Sequence, residues 1–105
     1  MDYNSYAKVM KALSDPKRVK IVDMLSNGKL CACAILEQFN FTQPTLSHHI
    51  KVLVTAELVT VEKIGTWHYY SLNEDIMTVL VTDTLKLASA SATSIGGEVK
   101  GQGEK

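Results

Sequence analysis

The chain has 105 residues, 46% hydrophobic and 21% charged, with Lys and Arg balanced by Asp and Glu to a formal net charge of zero. This length fits one domain and has no room for a two-domain enzyme with a cleft between its halves, while an apolar fraction at the globular average excludes a wholly disordered chain. No apolar run approaches the ~18–20 residues of a membrane span, and Met1-Asp2-Tyr3-Asn4-Ser5 lacks the basic start and apolar core of a signal peptide, so a soluble, cytoplasmic protein without a membrane partner is expected.

Tyr3, Tyr6, Ala7, Met10 and Leu13 recur at spacings of three and four, which predicts an amphipathic first helix with that stripe inward. Asp15-Pro16 starts a second helix, since Asp15 can cap exposed N–H groups and Pro16 suits the first turn. Ile21, Met24 and Leu25 face inward from it, and Asn27-Gly28 stops it. Leu30 to Phe39 reads as a short third helix with Ile35, Leu36 and Phe39 inward. Asn40-Phe41 is a tight connection, and Thr42 caps a fourth helix with Pro44 in its first turn.

Beyond Ala56 the period changes to alternation, with a turn at Gly65 and an aromatic return from Trp67 to Leu72, the pattern of a β-hairpin. Asn73 can cap a last helix in which Ile76, Met77, Val79, Leu80, Val81, Leu85 and Leu87 cover nearly the whole circumference. A helix apolar all round is buried on two sides, and in so small a domain a second copy of the chain is the simplest cover. From Ser89 to Lys105 the chain turns rich in Ser, Gly and Lys. Residues 1–88 are therefore expected to form the domain, and 89–105 a frayed helix end with a disordered tail. A compact unit of this size has a radius of gyration near ~13 Å.

The predicted order is mainly α with a β-hairpin (α+β): a helix-turn-helix from the third and fourth helices, with the hairpin behind it as a wing. From Gln38 to Ala56 there is no Asp or Glu. At ~100° per residue, Leu46, Ile50 and Leu53 anchor the fourth helix, and Pro44, Thr45, Ser47, His48 and Lys51 occupy the opposite face. Hydroxyl, imidazole and ammonium groups without carboxylates suit base edges and phosphates; a merely solvated face would carry Glu/Lys pairs. His49 flanks the apolar stripe and is expected to be a half-buried imidazole hydrogen-bonded within the motif. Lys17, Arg18 and Lys20 form a second basic cluster, and local clusters can track phosphates on a neutral chain. Cys31 and Cys33, one residue apart, point to a metal or redox site in a reducing cytosol.

Three stretches together resemble the ArsR/SmtB family of metalloregulatory repressors: Asn27-Gly28-Lys29-Leu30-Cys31-Ala32-Cys33, Phe41-Thr42-Gln43-Pro44-Thr45-Leu46-Ser47-His48-His49-Ile50, and Leu58-Val59 with Gly65 to Leu72. The Cys-x-Cys ahead of the recognition helix is similar to the arsenic-sensing branch. The resemblance implies a homodimeric winged helix-turn-helix, joined through its first and last helices, that leaves double-stranded operator DNA when an inducer binds. It implies that Thr42, Gln43, Thr45, Ser47, His48 and Lys51 face DNA, and that Lys63, Thr66 and His68 belong to the wing. Departures from the family pattern are Ala34 where an Asp often follows the second Cys, no cysteine in the N-terminal arm, Leu36 and Glu37 where a third Cys can stand, and a last helix with Asp75 and Asp83 but no His.

Residues i and i+2 of a regular helix point about 200° apart, so Cys31 and Cys33 converge on one ion only if the first turn of the third helix unwinds. Two thiolates suit a soft ion, while As(III) or Sb(III), the expected inducer, takes a third donor from water, a cellular thiol or the other subunit. No obligatory cofactor is expected. The leading reading is a repressor that is not an enzyme; the same repressor could instead sense oxidants or another soft metal through the Cys pair. A small thiol oxidoreductase lacks its Cys-x-x-Cys and βαβ frame here, and a metal carrier without a DNA role leaves the acid-free helix face unexplained.

Overall fold

The computed structural model describes residues 1–97, with side chains as far as Ser89, in the order α1 (Tyr3–Ala12), α2 (Pro16–Leu25), β1 (Leu30–Cys31), α3 (Ala32–Leu36), α4 (Gln43–Thr55), β2 (Val59–Ile64), β3 (Trp67–Leu72) and α5 (Glu74–Gly97). It is a helix-rich fold with a small antiparallel sheet in the order β1-β3-β2. Asp15 caps α2, its carboxylate accepting from the Lys17 N–H at 2.7 Å, and Asn73 caps α5 by accepting from the Ile76 N–H at 3.3 Å. Thr42 stands at the start of α4 but does not cap it with its side chain. Its hydroxyl instead lies 3.3 Å from that of Thr45.

The core is built by the expected faces of α2 and α4. Ile21, Ile35, Leu46, Leu53, Leu58 and Val59 are fully buried, and Ile50 and Leu25 nearly so. The end of α4 is fixed by a left-handed residue: Glu57 has φ 66°, its N–H donates to Val54 O at 2.9 Å, and the Leu58 N–H donates to Leu53 O at 3.0 Å. This pair of bonds is a Schellman closure, and its accompanying apolar contact places Leu58 against Leu53. It directs the chain from α4 into β2. The hairpin itself closes through the two residues Gly65-Thr66, with Gly65 at φ 62° and Ile64 paired to Trp67. A positive φ at the first loop position matches the right-handed twist of the flanking strands and favours Gly.

Three further expectations are corrected. First, the third helix does not begin at Leu30. Leu30 and Cys31 pair with Tyr70 and Tyr69 on the free edge of β3, because an open edge offers extended residues the backbone partners that a helix N-terminus would lack. At its other end, Gln38 and Phe39 continue as turns, donating to Ile35 O and Leu36 O. Second, α1 buries Val9 and Ala12, not the Tyr3–Met10 stripe, which is left mostly exposed apart from Tyr6. The small Ala12 allows α1 to approach the core, and the Tyr6 hydroxyl meets Thr84 Oγ1 of α5 at 2.7 Å.

Into the stretch read as a helix end, α5 runs on to Gly97; Ala88, Ala90 and Ala92 are strong helix formers and no breaker intervenes before Gly96. The remainder of the expected tail, 98–105, lies outside the described residues. Third, the radius of gyration is 17.3 Å, with extents of 57 × 25 × 23 Å. A helix of 24 residues is about 36 Å long, and α5 projects beyond the small core.

Candidate nucleic-acid interface and thiol pair

The first turns of α4 bring the predicted reading face together. Thr42, Gln43, Ser47, His48 and Lys51 are exposed and Thr45 is half-buried, while Leu46, Ile50 and Leu53 hold the opposite side in the core. Lys63, Thr66 and His68 are exposed on the hairpin, and Lys63 and His68 are direct cross-strand partners. The hairpin also carries Ile64 and Trp67, paired at its tip and 48% and 57% exposed. The turn at Gly65 marks them as tip residues, but their apolar character predicts burial and the sequence gives no sign of their exposure.

His49 is more deeply placed than expected, with 6% of its surface exposed. Arg18 Nη1 donates to its Nδ1 at 3.2 Å, and Arg18 Nε donates to Ala12 O at 2.6 Å. Because a guanidinium only donates, Nδ1 must be the accepting nitrogen and the ring proton lies on Nε2. Burial holds the His49 pKa below the ordinary 6.5; the neighbouring Asp15 charge opposes this shift and the Arg18 charge adds to it. Arg18 thus joins the α1–α2 junction to α4. Its place beside Asp15-Pro16 reads in the sequence as a surface cation, and only the fold turns it inward.

The thiols sit where β1 becomes α3. Cys31 is the N-cap of α3, with φ −77° and ψ 160°, and its Sγ accepts from the Ala34 N–H at 3.3 Å. The neighbouring Cys33 thiol, seconded by the Ala34 N–H, pulls the Cys31 pKa below its ordinary value. The nearby Cys31 sulfur in turn pushes the Cys33 pKa up. Cys31 is half-buried and Cys33 exposed. Since Cys31 lies outside the helix, the opposed-direction argument for residues i and i+2 does not hold here, and no helical turn has to unwind for the two sulfurs to approach each other. Among the described residues, no cluster of three or more His, Cys, Asp or Glu is assembled.

The family model for bacterial regulatory proteins of the arsR family matches residues 15–61, from the α2 cap into β2. An arsenical resistance operon repressor of Staphylococcus xylosus is 53% identical over 77 residues, 73% of this chain and 74% of that protein. The chain belongs to the ArsR family. A crystal structure of an ArsR family transcriptional regulator matches this ArsR-family chain with a TM-score of 0.79 at 20% identity, over 90% of this chain and 96% of that one. The solution structure of a homodimeric winged helix-turn-helix DNA-binding domain from Mycobacterium bovis matches with a TM-score of 0.68 at 23% identity, over 92% and 89%. These two likenesses identify the fold as a winged helix-turn-helix. As a member of the ArsR family the chain is a DNA-binding transcriptional repressor, not an enzyme. No helix among the described residues is long and apolar enough to cross a membrane.

Proposed function

We propose that this repressor acts as a homodimer on double-stranded operator DNA and releases it when As(III) or Sb(III) binds Cys31 and Cys33. The observation that carries this reading is the placement of both thiols at the β1–α3 junction, directly ahead of the helix-turn-helix, with Cys31 Sγ accepting from the Ala34 N–H as the cap of α3. It is supported by a relative of high identity that is named an arsenical resistance operon repressor. Thiolate is the ligand form of cysteine, and Cys31 is held toward it. In the binding step, each As–S bond replaces one As–OH bond of arsenous acid, and the thiol proton leaves with that hydroxide as water. The third donor comes from water, a small thiol or the partner subunit.

On this reading α4 lies in the major groove, with Thr45, Ser47 and His48 at base edges, Thr42 and Gln43 at its start, and Lys51 on a phosphate. Lys63, Thr66 and His68 are carried by the wing to the flanking backbone. Dimerisation covers what one chain leaves bare: Val79, Val81, Leu85 and Leu87 of α5 and Tyr3 and Met10 of α1 are each at least 45% exposed.

A lowered Cys31 pKa also suits oxidation of the same pair, which makes an oxidant the second reading of the cue. A gel shift on DNA from just upstream of the gene separates the two. We expect arsenite to release the wild type at concentrations where peroxide does not, and the Cys31→Ser and Cys33→Ser proteins to stay bound under both treatments. Release of the double Cys→Ser protein by arsenite would place the inducer elsewhere.

A further inference from the structure

Beside the recognition helix, on the side of α1, the fold leaves a groove of about 590 Å³ lined by Lys8, Lys11, Arg18, His48, Lys51 and Thr55 among others. Two helices contribute matched pairs to it. Lys8 and Lys11 are three residues apart on α1, and His48 and Lys51 three apart on α4, so each pair shares one face of its helix. No carboxylate lines the groove. Lys8, Lys11 and Lys51 are exposed, and among the described residues none of the three has an acidic partner within 4.0 Å. Arg18 is committed at the floor, to Ala12 O and His49. On a chain of zero net charge, three unpaired ammonium groups around one concavity are a local excess that an anion relieves.

We infer that this groove seats the sugar–phosphate strand bordering the major groove that α4 enters, with Lys8 and Lys11 as backbone contacts supplied by α1. The inference rests on the DNA-binding reading and extends it to a helix that the sequence assigned to dimerisation alone. A helix with its side chains is ~10–12 Å across and the major groove of B-DNA ~12 Å wide. With α4 filling that width, a cleft running along its flank meets the phosphates at the rim. The strand is recognised by charge and shape, so the contact carries affinity without sequence preference. The same helix can serve both tasks: Lys8 and Lys11 stand about 100–160° round α1 from Met10, which belongs to the uncovered apolar stripe.

The test is fluorescence anisotropy of the wild type, Lys51→Ala, and the Lys8→Gln/Lys11→Gln double variant against KCl concentration. The probes are a duplex from just upstream of the gene and a scrambled duplex of equal length. Each lost phosphate contact reduces the slope of log affinity against log salt by ~0.9. The double variant is therefore expected to lose about 1.8 units of slope, so that its affinity falls about 12-fold less than that of the wild type between 50 and 200 mM salt. The loss should appear on both duplexes, Lys8→Arg/Lys11→Arg should retain the slope, and sedimentation should find the double variant in the same oligomeric state as the wild type. A double variant with the wild-type slope, alongside a reduced slope for Lys51→Ala, overturns the groove and leaves the DNA reading intact. A wild type that binds neither duplex overturns both.

Discussion

His49 and Arg18 form the contact whose chemistry depends most on single atoms. The imidazole accepts from a guanidinium that is itself anchored on Ala12 O, so a proton on Nδ1 would both remove the acceptor and place two cations together. Burial of the ring foremost, with the Arg18 charge adding to it against that of Asp15, makes the folded state resist protonation and holds the His49 pKa below 6.5. The unfolded chain takes up this proton at an ordinary pH while the folded chain does not, so stability rises with pH across the interval between the two values. The contribution is complete above about 6.5 and is lost progressively as the pH falls from there toward the folded value. Denaturant midpoints at pH 7.5 and 5.0 should fall further for the wild type than for His49→Gln, whose amide oxygen can still accept from Arg18. Equal falls in the two proteins would show that His49 does not set this pH dependence.

At the scale of elements, the short strand β1 changes how the thiols connect to the rest of the molecule. Cys31 pairs with Tyr69 of β3, and β3 is the central strand that also carries the wing through its pairing with β2. Lys29 reinforces the junction, its Nζ lying 3.2 Å from Glu62 Oε1 and 5.8 Å from the centre of the Tyr69 ring. A ligand on Cys31 thus has a backbone route to the wing as well as the helical route through α3. Such a ligand also draws Sγ away from the Ala34 N–H that it caps. With arsenite present, hydrogen exchange is expected to accelerate at Ala34 and to change at Cys31 and Tyr69, while Leu46 to Leu53 keep their protection. Unchanged exchange at Ala34 with altered exchange inside α4 would show that the signal bypasses the cap. The coupling required is small, because a penalty of ~1–3 kcal/mol on the DNA-bound form lowers affinity ~5–150-fold.

For the whole molecule, the decisive feature is the division of α5 into two faces. Ile76, Met77 and Leu80 pack against the core, whereas Val79, Val81, Leu85 and Leu87 are 52–59% exposed. A substitution at Leu80 would disturb folding as well as assembly. Leu85→Glu separates the two, because a charge there is solvated in the monomer and buried without a partner in a dimer. The variant is expected to keep its helical circular dichroism and thermal transition but to sediment as a monomer with weakened operator binding. Operator half-sites bound by one symmetric dimer would make the affinity loss large, since both recognition helices act together. A wild type that sediments as a monomer at micromolar concentration would remove the basis for this expectation.

Local rules were sufficient for much of this protein. The caps at Asp15 and Asn73, the Leu46–Ile50–Leu53 stripe, the hairpin about Gly65 and the acid-free face of α4 all depend on neighbours within a turn or two, and each reads directly from the sequence. What depended on long-range pairing did not. Leu30 and Cys31 have no local signal for a strand, because their partner edge lies some forty residues further along the chain. The α1 stripe was misassigned because periodicity finds an apolar face but not what covers it, and here the core accepts Val9 and Ala12 instead. Arg18 turning inward to His49, and Lys8 and Lys11 meeting Lys51 across a groove, follow from how α1, α2 and α4 pack. The sequence by itself determined the number and order of the main helices, the hairpin and the acid-free face of α4; only the tertiary structure decided which cations share a surface and that the thiol pair stands at a strand–helix junction, because both are set by pairing and packing between segments far apart in the chain.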